Sequence, residues 1–158
     1  MKKIVVFILA MVCLLSMTAC SNGKQEGASK YSFSFRGENE YFAISNGIIL
    51  LEETEEVFEG GNLEIVQTDL FKDVVSVSTT FYTMRNGEKY IILSNSVTSK
   101  EDGSLTVDGE LGKISGSDII GRTDENMDEL RKNLWFELKT TDLNNKENTY
   151  QLKLTLSE

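Results

Sequence analysis

Val74-Val75-Ser76-Val77-Ser78-Thr79-Thr80-Phe81-Tyr82-Thr83-Met84-Arg85-Asn86-Gly87-Glu88-Lys89-Tyr90-Ile91-Ile92-Leu93-Ser94-Asn95-Ser96-Val97 reads as two strands folded on one turn. Apolar and polar side chains alternate on both sides of Asn86-Gly87, the period of a half-buried strand. Asn-Gly between such runs favours a type I′ hairpin, because that turn needs positive φ at both central residues. A two-residue turn sets Arg85 opposite Glu88, Met84 opposite Lys89 and Tyr82 opposite Ile91. One face then carries Val75, Val77, Phe81, Tyr90 and Ile92, the expected core side. The other carries Tyr82, Met84, Ile91 and Leu93, an apolar patch of the kind that meets a partner if left uncovered.

The same pattern extends in both directions. Tyr31, Phe33 and Phe35 alternate with Ser32, Ser34 and Arg36. Asn46-Gly47 lies between Tyr41–Ser45 and Ile48–Leu51 and predicts a second hairpin. Gly60-Gly61 and Asp108-Gly109 predict two more turns, joining Val57-Phe58 to Leu63–Val66 and Leu105–Val107 to Glu110–Ile114. Near the end, Leu134, Phe136 and Leu138 share one strand face, and Tyr150, Leu152, Leu154 and Leu156 share another. Trp135 alternates away from Leu134 and Phe136, toward the polar side, where an indole can stack on a sugar or a protein. One short helix is expected over 124–132, with Asp124 and Glu125 in its first turn and Arg131-Lys132 in its last, as the helix dipole favours.

Eight or nine short antiparallel strands with regular turns predict an all-β fold. The expectation is an antiparallel two-sheet β-sandwich of immunoglobulin-like architecture, with residues 31–158 as a single domain; a small β-barrel is the alternative.

Residue types narrow the chemistry. The chain has no histidine, which removes the commonest general base and the commonest metal ligand together. Serine and cysteine triads and histidine-based zinc sites are excluded with it. Gly109-Glu110-Leu111-Gly112-Lys113 has its glycines too close for a phosphate loop. Asp124-Glu125-Asn126-Met127-Asp128 matches the start of a calcium-binding EF-hand loop, but Glu129 replaces the required glycine and Trp135 the bidentate glutamate. Between Gly37 and Glu64 there are eight glutamates and no lysine or arginine. Glu52, Glu53, Glu55 and Glu56 are the candidate ligands there for a hard cation such as calcium. Two carboxylates suffice for glycoside hydrolysis, so a carboxylate-based hydrolase or lyase is one alternative to a binding module, and a calcium-stabilised surface scaffold is the other.

The amino terminus decides location. Lys2 and Lys3 precede an apolar run from Ile4 to Met17, then Thr18-Ala19-Cys20, the order of a secretory signal peptide. The run spans about 14 residues, short of the roughly 20 that cross a bilayer. Leu14 to Cys20 resembles the lipobox of bacterial lipoprotein precursors, with Met17 where that family usually has leucine. The resemblance implies cleavage after residue 19 and a diacylglycerol on the Cys20 sulfur, hence a protein held by lipid on the extracytoplasmic face of a cell membrane. Gly37-Glu38-Asn39-Glu40-Tyr41-Phe42 resembles an opening motif of small uncharacterised lipoproteins of Gram-positive bacteria, which implies no activity. Residues 20–30 read as the lipidated cysteine and a flexible tether, whose last ten residues reach about 16–19 Å. Removal of residues 1–19 takes Lys2 and Lys3 away, leaving 14 basic against 25 acidic residues, a formal charge of −11. That charge disfavours nucleic acid, whose binding needs basic neutralisation of phosphates. With Cys13 lost and Cys20 a thioether, no thiol or disulfide remains. The expected role is therefore non-enzymatic binding of an envelope protein or glycan, with no cofactor beyond the lipid.

Overall fold

The computed structural model describes residues 31–99 and 105–158. The signal peptide, Cys20 and the tether lie outside the described residues. Eleven strands run β1 (Tyr31–Glu38), β2 (Phe42–Leu51), β3 (Glu56–Glu59), β4 (Asn62–Ile65), β5 (Val74–Arg85), β6 (Glu88–Thr98), β7 (Gly109–Glu110), β8 (Lys113–Gly116), β9 (Leu134–Asp142), β10 (Glu147–Lys153) and β11 (Thr155–Ser157). A short 3₁₀ turn covers Thr68–Phe71, and helix α1 covers Asp124–Asn133. Sheet A holds seven strands in the order β11-β1-β2-β3-β8, with β4 on β2 and β7 on β4; sheet B holds four, in the order β10-β9-β5-β6. Every pairing is antiparallel, and neither sheet closes into a barrel. The chain is an all-β sandwich.

Alternation builds the core. Phe33, Phe35, Phe42, Ile44, Ile49, Leu51 and Phe58 point inward from sheet A, and Phe81, Leu134, Phe136 and Leu138 from sheet B. Aromatic rings interlock across the gap: Phe35 and Phe58 each meet Phe81 edge-on, and Phe42 meets Phe136, at centroid distances of 5.0–5.7 Å. Edge-on pairs of this kind add to the stabilisation from buried area alone. Helix α1 begins where the Thr123 hydroxyl caps the Asn126 N–H, and it inserts Met127 and Leu130 into the same core.

Three of the four expected turns resolve differently. Asn86-Gly87 does reverse the chain, with Asn86 at φ 50° and Gly87 at φ 84°. Asn46-Gly47 instead lies inside β2, and Gly60-Gly61 lies between β3 and β4, which run as one kinked ribbon along β2. The kink is shared, with Asn46 at φ 58° and Gly61 at φ 75°. Gly47 is buried, and a Cβ there would come within 2.1 Å of the Phe35 ring. Asp108-Gly109 makes no hairpin either: the Asp108 carboxylate accepts the Ile65 N–H and docks this segment on β4. The final apolar run is two strands rather than one. At Leu154 the chain leaves sheet B, donates its N–H to the Leu134 carbonyl at 2.9 Å, and continues as β11 beside β1.

Candidate binding face

The side chains of sheet B that alternate away from the core form one face. Ser76, Ser78 and Thr80 on β5 stand beside Thr98, Ser96 and Ser94 on β6. Two cross-strand hydroxyl pairs bond at 3.0–3.1 Å, Thr80 to Ser94 and Ser76 to Thr98. Toward the Asn86-Gly87 turn the face becomes amphipathic: Tyr82 pairs with Ile91 on one side and Trp135 on the other, and Met84 pairs with Lys89. Gln151 and Lys153 of β10 continue the same rows beside Glu137 and Trp135.

Four of the five apolar residues expected at a partner site meet here, and one does not. Ile91 is 58 % exposed, while Met84 and Trp135 are half-buried. Leu93 faces the core. A register slip between Phe81 and Tyr82 places Phe81 opposite Leu93, so Ile92 and Leu93 both turn inward. This is the signature of a β-bulge, where one extra residue shifts the alternation beyond it. Tyr82 shares the face but is only 3 % exposed, covered by its neighbours, with the Lys89 ammonium 4.4 Å from its ring centroid. Burial raises its phenol pKa; the Lys89 charge opposes the shift and the Glu137 charge adds to it.

Glu137 holds the face together. Its Oε2 accepts from Lys89 Nζ at 2.6 Å and Gln151 Nε2 at 2.8 Å, and Lys139 Nζ lies 3.4 Å from Oε1. Burial pushes its pKa up. The hydrogen bonds from Lys89 and Gln151, with the charges of Lys89 and Lys139, outweigh burial and hold the carboxyl below the ordinary range. The indole of Trp135 therefore sits in a fixed polar frame, with the Lys153 ammonium 6.0 Å from its ring. Alternation alone puts Glu137, Lys139, Gln151 and Lys153 on the tryptophan's side of their strands, but it does not bring them together. Their meeting depends on the β9–β10 register, which a polar loop does not reveal.

The glutamates proposed for a cation are separated by burial. Glu52, Glu53 and Glu55 are exposed around a turn in which the Glu52 N–H donates to the Glu55 carbonyl. Glu56 is wholly buried on the inner side of β3. The N–H groups of Ile119, Ile120 and Gly121 donate to its Oε2 at 2.8, 2.7 and 3.3 Å. Arg122 Nε donates to Oε1 at 3.2 Å, and the same guanidinium donates to the Glu53 carbonyl. With both oxygens engaged, Glu56 acts as an internal anion that fixes the 117–122 loop, the approach to α1. Glu56 thus stands apart from the exposed Glu52, Glu53 and Glu55. No group of three or more acidic side chains converges on a common point among the described residues.

No helix among the described residues is long and apolar enough to cross a membrane. No family model matches the sequence, and comparison with curated proteins and with solved structures finds no match.

Proposed function

We propose that this chain is a lipid-anchored extracytoplasmic lipoprotein whose sandwich binds an envelope glycan without chemically altering it. The anchor in this reading is the Cys20 thioether, supported by the lipobox-like stretch Leu14 to Cys20. The observation that carries the binding role is Trp135, a half-buried indole framed by Glu137, Gln151 and Lys153 on an open sheet face. Stacking on the apolar side of a sugar ring, with amide and charged groups at its edge, suits such a frame. A protein partner is the less favoured occupant. Stable protein interfaces bury about 800 Å² per side around a larger apolar centre than Met84, Ile91 and Trp135 supply. Both fully or nearly buried carboxylates, Glu56 and Glu137, are held by several donors each, which supports binding over hydrolysis.

Trp135 is the sole tryptophan, so its emission reports the face directly. Soluble fragments of envelope glycan should shift that emission in the detergent-solubilised protein and be released unchanged. Trp135→Ala should weaken retention on the same glycan at least tenfold. Unchanged emission together with unchanged retention of the variant refutes the reading, and so does cleavage of the fragments that Glu137→Gln abolishes. The anchor is tested separately: a fatty-acid probe should label the protein but not Cys20→Ala.

A further inference from the structure

The seam where β10 passes into β11 carries a second feature. A groove of about 570 Å³ opens there, lined by Arg36, Gly37, Glu38, Ser45, Lys153 and Thr155 among others. Two local irregularities shape it. The β1–β2 register shifts between Phe35 and Gly37, bulging the ladder at Arg36, and the chain changes sheets at Leu154. Gly37 allows the two sheets to close on each other, since a Cβ there would lie 2.9 Å from the Leu154 side chain and 3.2 Å from the Lys153 carbonyl.

The groove holds two cations, Arg36 and Lys153, and one carboxylate, Glu38, which pairs with neither of them. Seven lysine and arginine side chains elsewhere sit within 4 Å of a carboxylate. Arg36 and Lys153 are exposed and form no ion pair among the described residues, although acids far outnumber bases in the chain. Arg85 and Lys146 also have no carboxylate within 4 Å among the described residues, but Arg85 donates to the Ile120 carbonyl and lies over the Tyr90 ring, whereas Arg36 and Lys153 line one groove together. Lys153 also reaches toward Trp135, so the groove and the binding face are continuous through one side chain.

We infer that this groove is an anion subsite: Arg36 and Lys153 receive a carboxylate or phosphate carried by a saccharide whose neighbouring sugar stacks on Trp135. The inference rests on the glycan reading and names the class of glycan. Arginine binds either anion through two parallel hydrogen bonds, and lysine adds a point charge. The surrounding negative charge repels a densely charged polymer, so the fitting ligand is mostly neutral with isolated anionic groups.

Titration of the detergent-solubilised full chain, followed by Trp135 emission, tests this with three probes. These are hyaluronan tetrasaccharide, with a carboxylate on alternate sugars; uncharged chitotetraose; and inorganic phosphate. The hyaluronan fragment should bind at least tenfold more tightly than chitotetraose, and the preference should fall as salt rises. Arg36→Gln should reduce it several-fold with chitotetraose binding unchanged, and adding Lys153→Gln should erase what preference remains. Equal binding of the two sugars, or a preference that survives the double variant, overturns the subsite and leaves the glycan reading standing. So does failure of both sugars to bind when envelope fragments still shift the emission. Failure of envelope fragments as well overturns both. Displacement of the hyaluronan fragment by equimolar inorganic phosphate overturns the saccharide assignment.

Discussion

Among the described residues the dipeptide Asn-Gly occurs twice and does two different things. At Asn86-Gly87 both residues take positive φ, and β5 turns back into β6. At Asn46-Gly47 only the asparagine does so, and β2 runs on to Leu51. The local preference is the same; the surroundings differ. Nothing lies within 4 Å of where a Gly87 side chain would stand, whereas the Gly47 position is filled by the Phe35 ring. The first site is a turn because its own two residues favour one. The second is a kink because the Phe35 ring and the Gly60-Gly61 segment opposite fit against it. A turn motif states what the backbone can do, and long-range packing settles what it does.

The kinked ribbon depends on contacts from far along the chain, so its strongest test is the most distant of them. Glu56 begins β3 and is bound by residues more than sixty positions away. Glu56→Ala strands three N–H groups, that of Ile120 buried and those of Ile119 and Gly121 half-buried, together with the Arg122 guanidinium, and should cost about 3–5 kcal/mol in urea unfolding. A loss below about 1 kcal/mol would mean the 117–122 loop holds itself in place, and the contrast between local and distant control would weaken. Next in size is Gly47→Ala, where a methyl group must displace the Phe35 ring; overpacking of this kind costs about 1–3 kcal/mol. Gly87→Ala meets no neighbour and pays only for a left-handed backbone, about 1 kcal/mol. If the order of the two glycines were reversed, the steric account of Asn46-Gly47 would fail.

This contrast marks what could be read from the residues. The β5–β6 hairpin, helix α1, the inward faces of β9 and β10 and the two-sheet sandwich all follow from period, turn chemistry and charge placement. The kink, the bulge at Ile92-Leu93 and the change of sheet at Leu154 do not, because each arises from residues that meet only in the folded chain. The candidate site divides along the same line. Trp135 and Ile91 are visible as apolar residues on a polar side. Leu93 is lost to the bulge, Tyr82 to the cover of its neighbours, and Glu56 to a loop that no local pattern connects with it. Arg36 and Lys153 give no signal in the sequence, since they lie more than a hundred positions apart and only the folded chain brings them to one groove.

The two buried carboxylates extend the comparison to sheet B, with the smallest expected effect. Glu56 lies inside the sandwich, while Glu137 lies under lysines at its outer face. Its folded-state pKa is held below the unfolded value near 4.3, so its charged contacts stabilise the fold fully above that pH. That contribution is lost as pH falls below about 4 and the carboxyl takes up a proton in the folded state. Because Lys89 and Lys139 are largely solvent-exposed, the effect should be on the order of 1 kcal/mol. Urea unfolding of the protein and of Glu137→Gln should therefore differ at pH 7 and converge by pH 3. A gap that stays constant over that range would show that Glu137 contributes through packing rather than charge. The lysines around Trp135 would then be held by something other than this carboxylate.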